Sequence, residues 1–154
     1  MSDTVTLSPN SLYICLTQIM SPGFHWSLYI TDSTGLATCY HWAEVRTRRQ
    51  AADPIEEYTR AVINPVCGVT GGFRLNYTFV KIRSYTAPTT PFDFHAIFST
   101  IYTTSYNNYL RLYGLLQLNE GQIKEIQTVV TAKDEELEHK VATTRLADTE
   151  LCEL

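Results

Sequence analysis

Polar and apolar positions alternate through much of the first half of the chain. Leu12, Ile14 and Leu16 interleave with Tyr13, Cys15 and Thr17, and Ser-Pro-Gly at 21–23 follows as turn chemistry. In the next run Phe24, Trp26, Leu28 and Ile30 take one face, while His25, Ser27 and Tyr29 take the other. After the TDSTG break, Ala37, Cys39 and His41 alternate with Thr38, Tyr40 and Trp42, which completes a hairpin. Residues 44–72 are charged, punctuated by proline and ended by glycine, so a short helix near 53–60 and a loop through NPVCGVTGG are expected. RLNYTFVKIRSY at 74–85 closes the strand-rich half.

Beyond TAPTTP the period lengthens to that of a helix. Phe94, Ile97, Phe98, Ile101 and Tyr102 fit one helical face; a second helix is expected from about 105 to 118, with Tyr109, Leu112, Tyr113 and Leu116 on one stripe. A third amphipathic segment covers 119–132 through Ile123, Ile126, Val129 and Val130. Residues 133–154 carry only Leu137, Val141 and Leu146 as a loose stripe, which suits a surface helix or a frayed tail. Strands in 1–85 followed by helices in 91–147 argue for one α+β domain over 1–154, an antiparallel sheet packed against C-terminal helices.

Bulk properties narrow the function. The chain has 154 residues, 44% of them hydrophobic, and a formal net charge of −4. Arg46, Arg48 and Arg49 form no basic stripe, so nucleic acid is not expected as a partner. No apolar run reaches the roughly 20 residues that span a bilayer, and MSDTVTLSPN lacks the order of a signal peptide, so a cytoplasmic protein away from membranes is expected. The cysteines at 15, 39, 67 and 152 show no metal-ligand spacing, so free thiols are expected, with neither metal nor other cofactor. Apolar helical faces around Tyr109, Tyr113 and Leu116 could also bury against a second copy in a homodimer.

The chemistry concentrates on the hairpin FHWSLYITDSTGLATCYHW. A loop centred on Ser33 sets His25 opposite His41, Ser27 opposite Cys39 and Tyr29 opposite Ala37, all on one face. A loop centred between Ser33 and Thr34 sets His25 opposite Trp42 and separates the imidazoles, and both registers are open at this stage. Two histidines on a hairpin face are more often structural than catalytic. A bonded pair, however, fixes its tautomers and can move protons near neutral pH.

HWSLYI, a glycine-containing turn and YH on the returning strand resemble the permuted papain-like fold of the lecithin retinol acyltransferase and NlpC type of thiol enzymes. They resemble still more small, uncharacterised fungal proteins that share the His-Trp strand. The resemblance spans residues 24 to about 116, and its first motif is the specific one. It implies His25 as general base, His41 as the residue that orients it, and a nucleophilic cysteine at a helix start in TTSYNNYLRLYGLL. There Tyr106, Asn107 and Asn108 stand in the aromatic-Asn-Cys position, so Asn108 takes the cysteine's place. An amide forms no thiolate, and the family's acyl-enzyme chemistry is not expected from it.

What remains is a cofactor-independent isomerase, cyclase or lyase acting on a carbonyl-containing, rather apolar small molecule, such as an intermediate of fungal natural-product assembly. Its catalytic residues would be His25, His41 and Asn108, with Trp26, Ser27, Tyr29, Cys39, Tyr106 and Tyr109 around the substrate. Two alternatives stay open: a catalytically silent ligand- or protein-binding module, and a thiol hydrolase or acyltransferase using Cys67.

Overall fold

The computed structural model describes residues 4–18, 24–45, 55–70, 74–89, 93–98, 120–143 and 150–153. Its strands are β1 (Leu12–Gln18), β2 (Phe24–Thr31), β3 (Ala37–Val45), β4 (Ile55–Ile63), β5 (Val69–Thr70), β6 (Arg74–Lys81) and β7 (Glu150–Glu153). The helices are α1 (Phe94–Phe98) and α2 (Glu120–Thr143). Five antiparallel strands run in the order β4-β3-β2-β1-β6, so the architecture is α+β as expected. The short β5 pairs antiparallel with the start of β6, and β7 pairs parallel with its end. A parallel strand needs a long crossover, and α2 lies in the one that leads to β7.

Three expectations are corrected. The segment near 53–60 is not a helix: β4 pairs with β3 from Val45↔Ile55 to Ala37↔Ile63. Its Glu and Arg residues suit a helix, but an edge strand also carries charge readily, and Ile55, Thr59, Val62 and Ile63 are β-branched. The third amphipathic segment and the charged stretch after it form one continuous helix, since no proline or glycine interrupts Gln122–Thr143 and its Lys, Glu and Ala residues favour helix. Its core stripe is Ile126, Val130 and Leu137, while Val129 is exposed. Third, β7 occupies part of the stretch read as helix or tail. The helix expected over 105–118 lies outside the described residues.

Both faces of the sheet are largely covered. On one face Leu12, Ile14, Leu16, Leu28, Ile30 and Tyr40 pack with Phe98 of α1 and Ile126, Val130 and Leu137 of α2. Trp26 borders this layer, and its indole N–H donates to Asp134 Oδ2 at 3.0 Å, tying β2 to α2. On the other face Tyr13, Cys15, Tyr29, Ala37, Cys39 and Phe79 pack under Val5 and Leu7 of the N-terminal segment and Val66 of the 64–68 loop. Val5 N donates to Val66 O at 2.8 Å and joins these two covering segments.

The β2–β3 turn settles the hairpin register. Asp32 Oδ1 accepts from Thr34 N, Thr34 Oγ1 and Leu36 N, while Gly35 takes a positive φ of 86°. These bonds, that of the Thr34 hydroxyl foremost, hold the Asp32 carboxyl below its usual range. The loop so built is centred on Thr34, and β2 pairs with β3 as Thr31↔Ala37, Tyr29↔Cys39 and Leu28↔Tyr40. This is neither of the two registers considered, but it has the parity of the Ser33-centred one. Cys39 therefore faces Tyr29 rather than Ser27, Ala37 faces Thr31 rather than Tyr29, and His25 and His41 remain on one face.

Candidate functional site

Beyond the last β2–β3 pair, Leu28↔Tyr40, His25 and His41 stand on the same face of the two strands and meet across them. His25 Nε2 and His41 Nδ1 lie 3.0 Å apart, and the rings meet edge to face with centroids 5.1 Å apart. Both side chains are half-buried. Burial lowers the pKa of His41, which favours its neutral form at neutral pH. A nitrogen–nitrogen separation of this length requires one proton between the two atoms, so one ring donates and the other accepts.

The pair stands on the face roofed by the N-terminal segment and the 64–68 loop, away from both described helices. Ser27, Tyr29 and Cys39 share that face, as the alternation implies. Trp26 does not: it stands on the helix side and bonds Asp134, because successive residues of a strand point to opposite faces. Asn108, Tyr106 and Tyr109 lie outside the described residues.

The thiols are placed for packing more than for attack. Burial pushes Cys15 up to about 12 and Cys39 up to about 11, so both stay protonated. The same cause raises Tyr29. Cys67 is partly exposed in the roof loop, where its thiol is directed at Pro65 O, 3.7 Å away. Among the described residues no group of three or more His, Cys, Asp or Glu side chains could hold a metal ion. No described helix is long and apolar enough to cross a membrane.

Two features escape the sequence pattern. A buried row of polar side chains crosses the roofed face: Thr17 Oγ1 donates to Asn76 Oδ1 at 2.7 Å, and Asn76 Nδ2 donates to Cys67 O at 2.9 Å. The row depends on a bulge in the β1–β6 ladder, where Leu16 pairs with Thr78 but Thr17 pairs with Asn76. The extra residue on β6 turns Asn76 onto the roofed face beside Thr17. Alternating polarity carries no sign of a bulge, so neither partner could be singled out. The second feature lies on the helix side, where Tyr58 Oη and His95 Nδ1 are 3.0 Å apart with stacked rings. Burial raises Tyr58 to about 12, which keeps its hydroxyl protonated. The misassigned β4 hid this pair.

Comparison of the chain with known protein families, with characterised proteins and with solved structures found no match.

Proposed function

We propose that this protein is a small-molecule enzyme that works by non-covalent acid–base catalysis, its centre the His25–His41 pair. The substrate is a carbonyl compound, rather apolar, and the reaction an isomerisation, cyclisation or elimination. The observation that carries this reading is the 3.0 Å bond between two half-buried imidazoles on one sheet face. Such a pair can hold one proton and pass it between rings, because a charged imidazole is stabilised by a neutral neighbour that accepts its hydrogen bond. The protonated state of Cys15 and Cys39 speaks against thiolate chemistry from the sheet. In the permuted papain-like arrangement that the His-Trp strand resembles, Asn108 replaces the nucleophile and would donate to a developing oxyanion.

The test is incorporation of solvent deuterium beside the carbonyl in a panel of apolar ketones. Exchange above the imidazole-buffer background, lost in His25→Ala and in His41→Ala, is the expected result. Exchange that persists in both variants would remove the reading.

One observation favours a silent binding module instead. The apolar part of the roofed face is already filled by the chain's own Val5, Leu7 and Val66. A substrate must therefore meet the pair from its solvent side. If no ketone exchanges while small molecules still shift the His25 and His41 resonances, the binding reading stands.

A further inference from the structure

The histidine pair has two flanks across the strands, and they differ. On the β1 flank the register sets Thr17 beside His25 and Cys15 beside Ser27, and Thr17, Cys15 and Ser27 are all buried. On the β4 flank it sets Thr59 opposite His41 and Ala61 opposite Cys39, and both Thr59 and Ala61 are exposed. Directly opposed residues of an antiparallel pair share a face, with Cβ atoms about 4.5–5.5 Å apart. Thr59 is therefore the cross-strand neighbour of His41 on the roofed face, and of the two flanks it is β4 that leaves the pair open to solvent.

The make-up of β4 on that face says what kind of molecule it suits. Thr59, Ala61 and Ile63 alternate onto it, and none of them is charged. Arg60 stands on the helix side, opposite Tyr40, whose ring packs on Phe98. Edge strands are commonly protected by charge, so an exposed, uncharged run of small side chains beside two imidazoles is not what protection alone would select. Ile63 faces Ala37 and packs, half-buried, against the apolar core under the roof. The strip thus starts with a hydroxyl beside His41, continues over one methyl group and ends against hydrocarbon. It runs about 13 Å from Thr59 to Ile63, at about 3.3 Å per residue, and is one side chain wide.

We propose that Thr59, Ala61 and Ile63 form the specificity strip of the site: the substrate's carbonyl oxygen accepts a hydrogen bond from the Thr59 hydroxyl beside His41, and an unbranched apolar arm lies over Ala61 toward Ile63. This rests on the acid–base reading above and names its substrate class, a ketone with one straight hydrocarbon arm. The methyl of Ala61 leaves room for that arm, and a large side chain there stands in its path.

The experiment is an NMR titration of the full chain, methyl-labelled at alanine, isoleucine and valine, with acetone, which has the head alone, and with methyl hexyl ketone, which has head and arm. Methyl hexyl ketone should bind the more tightly, by up to about fourfold for each methylene that the strip takes from water. Its chain should give nuclear Overhauser contacts to the methyls of Ala61 and Ile63 and none to Val62, which is exposed on the other face of the strand. Ala61→Trp should weaken methyl hexyl ketone about tenfold, as two or more methylenes are displaced, and leave acetone unchanged. Thr59→Val should weaken both ketones alike, by about threefold to tenfold, the loss of one hydrogen bond. Val62→Trp should leave both at native affinity. Positions 59, 61 and 62 are exposed and strands favour valine and tryptophan, so all three variants should fold.

Absence of ketone binding would overturn the proposal, and so would contacts that miss Ala61, equal affinity for the two ketones, or a Thr59→Val chain that binds as the native one does. If methyl hexyl ketone lies on the strip but takes up no deuterium, the strip stands as a binding site and the acid–base reading fails. If exchange needs both histidines but is indifferent to Ala61→Trp and Thr59→Val, the acid–base reading stands and the strip fails.

Discussion

The two faces of the sheet are built from the same strands by the same alternation, yet they are closed in different ways. The helix face is sealed by side chains from a long helix and a short one, and the fully buried side chains those helices supply, Phe98, Ile126, Val130 and Leu137, are all hydrocarbon. The roofed face is sealed by chain segments only a few residues long, and its buried members include Ser27, Thr17, Asn76 and two thiols. Long amphipathic helices bring enough apolar area to bury a face outright. Short segments do not, and the polar groups left beneath them must bond one another, which the described side chains do without leaving a buried polar atom unpaired. The lesson is that polar chemistry gathers where cover is thin, and the histidine pair stands on that side.

The largest test of this contrast compares Phe79→Ala with Phe98→Ala. Both rings are fully buried, one on each face. Each substitution should cost about 3–5 kcal/mol, read from urea unfolding, because each leaves a ring-sized cavity. Only Phe79→Ala should also move the His25 and His41 resonances, since Phe79 packs edge to face on Tyr29, two residues beyond Ser27 on β2. Equal shifts from both variants would mean that the faces are not independent.

Much of the helix-face layer could be read from the sequence, because strict alternation from Leu12 to Leu16 and from Leu28 to Ile30 names its strand residues directly. The common face of His25 and His41 was not readable in the same way, because a shift of the loop centre by half a residue separates the two rings and the alternation of the strands does not fix that centre. Nor were the exact partners, since they depend on Asp32 gathering three donors onto one oxygen, and such a turn leaves no mark on the alternation of the strands. β4 was misread because an edge strand can carry the charges of a helix, and only its partner β3 reveals it. The Thr17–Asn76 bond joins residues 59 apart and needs a bulge to form. Trp26 and Asp134 are farther apart still, and no local pattern links them.

The second test acts within the roofed face. Thr17→Val keeps the shape of the side chain but leaves the side-chain oxygen of Asn76, a residue 2% exposed, without its donor. The cost should be about 1–3 kcal/mol, the range for a buried polar group that loses its partner. Thr17→Ser retains the hydroxyl and should lose well under half as much. A valine variant as stable as the native chain would show that the row is not a buried constraint.

The helix face has a polar bond of its own, and its loss should matter less. Trp26→Phe removes the donor to Asp134, but both partners are half-buried and the carboxylate can turn to water. A cost of about 1 kcal/mol is expected, below the range for fully buried bonds to charge. Hydrogen exchange should quicken along α2 around Asp134, while the histidine resonances stay where they are. A response at His25 would contradict the separation of the faces, since Trp26 adjoins it in sequence but points the other way.

The smallest effect expected is the pH dependence of stability, and it too divides the faces. Burial lowers the pKa of His41 in the folded chain, so the unfolded chain binds its proton first. Stability from this group is therefore complete above the ordinary histidine value of about 6.5 and falls as pH drops from there toward the folded value. At the alkaline end the signs reverse. Cys15 and Cys39 are raised to about 12 and about 11, so the unfolded chain loses those protons first, and stability declines above about 9. Tyr40, Tyr58 and Tyr85, raised by burial on the helix side, extend that decline above about 10. The alkaline limb thus draws on both faces, whereas the His41 contribution to the acid limb belongs to the roofed face. Urea midpoints from pH 8 to pH 5 for the native chain and His41→Gln isolate it, because groups common to the two chains cancel in the difference. The native chain should lose more stability on acidification than the variant; parallel curves would show that burial of His41 sets no cost on its protonation, and the neutral imidazole on which the pair depends would lose its physical cause.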